Sequence, residues 1–299
     1  MISTEILRPA AKPLPIVALP ATDTGWMDRW RGAFGGAAGR LRGLLVVGHG
    51  TADPIGADET REITRRVAGL LPGVPVELGF LEVIGPTIVE SLQRLAEQGC
   101  REVVAAPLLL FTAGHARRDV PEALEEGGRR AGLAISQSGA FGCHPEIVAL
   151  SRQRRCEALH GLDPVPAGST VLVMVGRGSS DPAAHEQLAE FAAATLEPGS
   201  HAVRRDDACG RIELGFVAAA RPSVAEALAA AAFGGAVDVK RVVVQPHLLF
   251  RGHVEEQVEA AIRQARTAHP EVEWVQVRRL GAADRVARAL VERAAAVIQ

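Results

Sequence analysis

The chain has 299 residues, enough to bury a sizeable core and, by length, to divide into about two domains. Its 33 Lys and Arg balance 35 Asp and Glu, so no long-range basic field argues for a nucleic-acid partner. The four cysteines (Cys100, Cys143, Cys156, Cys209) form no Cys-x-x-Cys pair, and no apolar run approaches the roughly 20 residues that span a bilayer, so a soluble, cytoplasmic protein without a membrane partner is expected.

Residues 1–41 read as a flexible Pro/Ala-rich extension outside the folded core, with Trp26, Met27 and Trp30 in one short docking helix. From Gly43 the pattern is regular. Leu44 to Val47 is a buried strand that exits through Gly48-His49-Gly50, and Ile63, Val67, Leu70 and Leu71 recur at helical spacing over residues 58–71. Val76 to Leu81 is the next strand, followed by a helix opened by Pro86 and ended by Gly99. A third strand spans residues 102–110. A helix near 121–130, a strand over 133–137 and a helix over 145–159 complete a βα alternation that implies crossovers and a parallel sheet.

The second half repeats the first. Gly176-Arg177-Gly178 with Asp181-Pro182 has the spacing of Gly48-His49-Gly50 with Asp53-Pro54. Leu214-Gly215-Phe216 before Pro222 matches Leu78-Gly79-Phe80 before Pro86, and Val242 to His253 matches Val103 to His115 with one residue fewer. The expected architecture is therefore α/β, two similar domains (42–162 and 163–299), each a parallel sheet flanked by helices, facing across a cleft and joined by the linker around Pro164, Pro166 and Gly168.

The repeat serves as an internal control for chemistry. In the first copy His49, Glu82 and His115 follow three successive strands on one carboxyl edge, where open α/β sheets bind ligands. Two imidazoles and a carboxylate suit a borderline divalent cation such as Fe(II), Co(II), Ni(II) or Zn(II). The second copy has Arg177, Ala218 and His253 at these places, so it repeats the strand exits without the set of ligands. A permanently charged Arg177 would repel a cation but suits a carboxylate, which makes the second half a binding wall.

Gly48-His49-Gly50, Gly79-Phe80-Leu81-Glu82 before Pro86, and Gly114-His115-Ala116-Arg117-Arg118-Asp119-Val120-Pro121 resemble the sirohydrochlorin chelatases, the class II chelatases of cobalamin and siroheme synthesis. The resemblance runs from about Leu44 to the end and is to the long, two-domain members. It implies ATP-independent insertion of Co2+ or Fe2+ into sirohydrochlorin, with cobalt favoured because the long members resemble the cobalamin branch. It also implies that His49, Glu82 and His115 handle the incoming metal, and it names no cofactor beyond that substrate metal; the chemistry of insertion adds that at least one of the two imidazoles accepts a pyrrole proton, with Glu82 either a third ligand or a proton acceptor. The carboxylate arms of sirohydrochlorin need donors, for which Arg117, Arg118, Arg177, Arg221, Arg251 and His253 are candidates.

Alternatives are a non-catalytic metal or tetrapyrrole carrier, and a phosphotransfer enzyme using His49. The latter fits poorly, because Asp53, Asp58 and Glu59 follow the turn before the first basic residue, Arg61. His144 and His247 are expected in turns or packing, and His185, His201 and His269 in solvent.

Overall fold

The computed structural model describes residues 34, 41–111, 118–197, 209–233 and 238–298. Strands β1 (Leu41–Gly48), β2 (Val76–Phe80), β3 (Cys100–Pro107) and β4 (Ala134–Gln137) form one parallel sheet in the order β2-β1-β3-β4. Strands β5 (Thr170–Gly176), β6 (Arg211–Phe216), β7 (Arg241–Pro246) and β8 (Glu273–Gln276) form a second in the same order, β6-β5-β7-β8. The helices are α1 (Pro54–Leu70), α2 (Ile88–Glu97), α3 (Asp119–Ala131), α4 (Pro145–Leu159), α5 (Pro182–Ala194), α6 (Val224–Ala232), α7 (His253–Ala268) and α8 (Asp284–Ala295).

The apolar runs of β1 and β5 are continuous because both faces of each sheet are covered. Successive side chains alternate between faces: Leu45 and Val47 join Ile88, Leu92 and Leu124 on one side of the first sheet, and Leu44 and Val46 join Ile63 and Val67 on the other. Leu172 and Met174 of β5 and Val243 of β7 belong to the same core cluster as Leu44 and Val46, so the inner faces of the two sheets share one core. Each of these fully buried side chains contributes about 1.5–3 kcal/mol relative to exposure.

The helices are exchanged across that shared core. The last helix, α8, packs against α1, α4 and β3, and therefore belongs by contact to the first sheet. Conversely α4, which precedes the linker, packs against β8. Its Ser151 accepts from Gln245 Nε2 of β7 through both the carbonyl (2.7 Å) and the hydroxyl (2.8 Å). Arg155 of α4 is 1% exposed, and donates to the Thr195 carbonyl at 2.7 Å and to Gln245 Oε1 at 3.2 Å. Arg152 donates to the Ala194 carbonyl at 2.6 Å, so two guanidinium groups meet the carbonyl end of α5, where the helix dipole favours positive charge.

Ionic contacts close the remaining seam. Arg279 forms bidentate pairs with Glu59 of α1 (2.6 Å from Nη2) and with Glu255 of α7 (2.9 Å from Nη1). All three are largely buried, which makes the network costly to break at one member. Arg285 pairs with Glu146 at 2.7 Å, Arg154 donates to the Leu280 carbonyl at 2.8 Å, and Arg66 pairs with Asp284.

The expected extension over residues 1–41 needs one correction. Phe34 is 1% exposed and packs in the shared core, so burial of its apolar ring makes this residue part of the fold. Leu41 already belongs to β1. The expected helix at Trp26 to Trp30 lies outside the described residues. Among the described residues, no helix is long and apolar enough to cross a membrane.

Candidate functional site

In the order β2-β1-β3-β4, the connection from β1 leads to one side and that from β3 to the other. The crevice at this topological switch is where an open parallel sheet accepts a ligand. His49 is the first residue after β1, and Asp53 ends the loop by capping α1, its Oδ1 accepting from Ile55 N (2.9 Å) and Gly56 N (3.0 Å). Asp181 does the same for α5 by accepting from Ala183 N at 3.0 Å, so the repeated Asp-Pro is a helix start.

The exits of β1 and β2 are stitched together beyond the sheet. Leu81 N–H donates to the Gly48 carbonyl at 2.9 Å, and Glu82 N–H to the His49 carbonyl at 3.1 Å. Gly50 has φ +101°, and a Cβ there would lie 1.9 Å from the Glu82 carbonyl oxygen, so only glycine permits this approach. The result is that His49 Nε2 stands 3.1 Å from Glu82 Oε1, with side chains 48% and 58% exposed. An imidazole and a carboxylate in this contact, open to solvent on one side, can share a proton or offer adjacent donors to one cation.

The second copy builds the same turn with different chemistry. Val217 N–H donates to the Gly176 carbonyl at 3.1 Å and Ala218 N–H to the Arg177 carbonyl at 2.9 Å. Gly178 has φ +92°, and a Cβ there would lie 1.8 Å from the Ala218 oxygen. The turn thus needs neither an imidazole nor a carboxylate.

Of the residues expected at the site, His49 and Glu82 are brought together, and His115 and Arg117 lie outside the described residues, as does His201. Arg118 is exposed at the start of α3, and Arg177 is exposed on its turn. Arg221 is committed locally, donating to Glu226 Oε1 at 2.5 Å; that contact, with help from Ser223, holds the Glu226 carboxyl at about 2. Arg251 is turned to the seam between the copies: its Nε lies 3.4 Å from Asp53 Oδ2, its N–H donates to Glu59 at 2.8 Å, and its carbonyl oxygen sits where a Cβ on Gly56 would be, 2.3 Å away. It therefore helps to seat the second copy on the start of α1. His253 opens α7 and stays with its own helix, 3.5 Å from Glu256 and 3.0 Å from Gln257.

The other histidines are placed by packing. His144 caps α4 and lies 3.1 Å from Glu292 of α8. His185 departs from the solvent position expected for it, since its Nε2 contacts the Ser179 carbonyl at 2.9 Å and its ring stacks 4.6 Å from Phe216. His269 is likewise half-buried, 3.4 Å from Glu271. His247 is sandwiched between Phe111 (4.9 Å) and Phe191 (4.0 Å), both ring nitrogens buried without a hydrogen-bond partner among the described residues. Burial pushes its pKa down to about 3, so it is neutral at ordinary pH.

Sequence reasoning missed Arg279 and Glu255, because their meeting with Glu59 joins segments about two hundred residues apart and leaves no local pattern. Among the described residues, no group of three His, Cys, Asp or Glu is arranged to hold a metal; His49 and Glu82 are a pair.

The CbiX family model matches this chain twice, over residues 43–158 and 171–297. The chain belongs to the CbiX family. Both copies seen in the sequence are thus CbiX units. This CbiX chain is 32% identical over 226 residues to a sirohydrochlorin ferrochelatase of Priestia megaterium, covering 75% of this chain and 79% of that one. It is 27% identical to a sirohydrochlorin cobaltochelatase of the same organism, covering 78% and 72%. Its fold is that of SirB from Bacillus subtilis, solved with Fe3+ (TM-score 0.69, 24% identity, 84% of this chain and 93% of that one). It is also that of a CbiX described as the terminal enzyme of siroheme biosynthesis in denitrifying bacteria (TM-score 0.59, 21% identity, 86% and 100%).

Proposed function

We propose that this CbiX-family chelatase inserts Co2+ into sirohydrochlorin, without ATP, using His49, Glu82 and His115 to strip water from the metal and to accept the pyrrole protons. Insertion into a free-base tetrapyrrole requires loss of metal-bound water, removal of two N–H protons and exposure of ring lone pairs by bending the macrocycle. Imidazole serves the first two needs, since it ligates borderline metals when neutral and titrates near neutral pH. The observation that carries the reading is the His49 Nε2 to Glu82 Oε1 contact of 3.1 Å on a turn that the second copy repeats with Arg177 and Ala218. Arg118 and Arg177, exposed on the two copies, are assigned to the carboxylate arms, together with Arg117.

Fe2+ is the second reading, favoured by the 32% identity to a sirohydrochlorin ferrochelatase. A donor set of imidazole and carboxylate accepts both metals, so the choice rests on competition. Purified protein with sirohydrochlorin and equal Co2+ and Fe2+ under anaerobic conditions should yield mainly the cobalt product over many turnovers. Predominant iron product would reverse the assignment, and a yield that stops at one metallated ring per chain would make the protein a carrier.

A further inference from the structure

Val83 follows Glu82 directly and has φ +70°, a left-handed conformation that a β-branched residue adopts at a cost and that glycine or asparagine would adopt more readily. Ile84 N–H donates to the Glu82 carbonyl at 2.8 Å, closing a three-residue turn of the less favourable hand around Val83. The side chain gains little from the protein in return, being 63% exposed. Its Cβ lies 3.6 Å from the position of a Cβ on Gly50, so the isopropyl group stands over the glycine next to His49.

The second copy separates the backbone from the side chain. Ala219 occupies the matching place with φ +54°, so the left-handed backbone at this position belongs to the fold of both copies. The branched apolar group is present only beside His49 and Glu82. A strained, exposed valine that the fold itself does not need is a mark of contact with something else.

We propose that Val83 is a specificity-determining contact for the macrocycle: its methyl groups meet the apolar face of the tetrapyrrole ring while His49 and Glu82 address the metal. The inference rests on the chelatase reading above, and it adds a ring-face contact to the charged contacts assigned there to the carboxylate arms. An apolar flat face and a rim of carboxylates are the two chemistries such a ligand presents, and Val83 supplies the first in the copy that holds the ligand pair.

The test is a titration of the full-length protein with metal-free sirohydrochlorin, followed by the change in ring absorbance, beside thermal unfolding and metal-insertion kinetics. Val83→Ala, which copies the second half, and Val83→Gly should each raise Kd about fivefold, the scale of about one buried methyl group, since a flat ring face covers the isopropyl group on one side only. Their kcat should stay within twofold of wild type, and the Tm of Val83→Gly should not fall. Ala219→Gly should leave Kd unchanged. Wild-type Kd in both Val83 variants would overturn the proposal. So would a fall of Tm in Val83→Gly, which would make the side chain a part of the fold, or a fall of kcat at constant Kd, which would make it a support for Glu82. A wild-type protein that neither binds nor metallates sirohydrochlorin would sink the chelatase reading as well, and that outcome is separate because it is read before any variant is made.

Discussion

At the exit of β1, the Glu82 N–H to His49 carbonyl bond of 3.1 Å carries an imidazole and a carboxylate; at the exit of β5, the matching Ala218 to Arg177 bond of 2.9 Å carries a guanidinium and a methyl. The backbones agree to the sign of φ at Gly50 and Gly178 and at Val83 and Ala219. Even the next helix starts the same way, with the capping boxes Thr87/Glu90 and Ser223/Glu226. A shared backbone with divergent side chains separates what builds the fold from what is carried on it. His49, Glu82 and Val83 fall in the second class, whereas Gly50, Asp53 and the capping boxes fall in the first.

The comparison is broken most severely by making the first turn into the second. His49→Arg should lower metal insertion by on the order of a thousandfold, the scale of a lost proton-transfer and ligand group, while Tm stays within about 2 °C because Arg177 already occupies the equivalent turn. Insertion kinetics beside thermal unfolding decide it; an active His49→Arg protein would remove the imidazole from the mechanism. Next in size is the shared backbone. Gly50→Ala and Gly178→Ala should each destabilise by about 3 kcal/mol in denaturant unfolding, since each methyl would collide with a carbonyl oxygen at a positive φ. A tolerated Gly178→Ala would show that the two turns are not equivalent.

A third difference lies beneath the turns, where Leu108 of the first copy corresponds to His247 of the second. The folded imidazole is held at about 3, whereas the unfolded chain titrates near 6.5, so between these values the unfolded state binds the extra proton and stability falls as pH falls. Lowering pH from 6.5 to 4.5 should therefore cost wild type about 2 kcal/mol more than His247→Phe, which keeps the stack on Phe111 and Phe191 without a titrating group. Parallel pH profiles of unfolding free energy for the two proteins would refute the buried neutral imidazole. The smallest effect concerns the wall: Arg177→Ala should weaken sirohydrochlorin binding about threefold and leave Tm unchanged, as fits one exposed charge among several. Unchanged affinity would take Arg177 out of the binding surface.

Much of this was legible in the residues because it is local. Parallel strands covered on both faces read as unbroken apolar runs, and Val46 and Val173 come from such runs. Asp-Pro and the Gly-x-Gly spacing marked the turns in both copies, and the absence of His49 and Glu82 from the second copy isolated them as a pair. Other contacts were not announced by the sequence, for related reasons. Arg251, a candidate donor for a carboxylate arm, also faces Asp53 and Glu59 of the other copy. His185, read as solvated, lies on Phe216. In both, the deciding partner stands on another element, and a linear pattern carries no sign of it.

By itself the sequence determined the repeated βα units, the turns that end their strands, and the asymmetry that puts an imidazole and a carboxylate on one copy alone. These follow from backbone geometry and hydrophobic period, which adjacent residues set. Tertiary structure alone decided that α8 lies on the first sheet and α4 on the second, that Arg155 sits buried at the end of α5, and that Arg279 joins Glu59 to Glu255. Such contacts depend on complementary charge and shape at surfaces that exist only once the sheets have formed. The buried face of α4 includes Ser151, Arg154 and Arg155, whose partners on other elements are 40 to 126 residues away, so the helix shows no apolar stripe to announce where it packs.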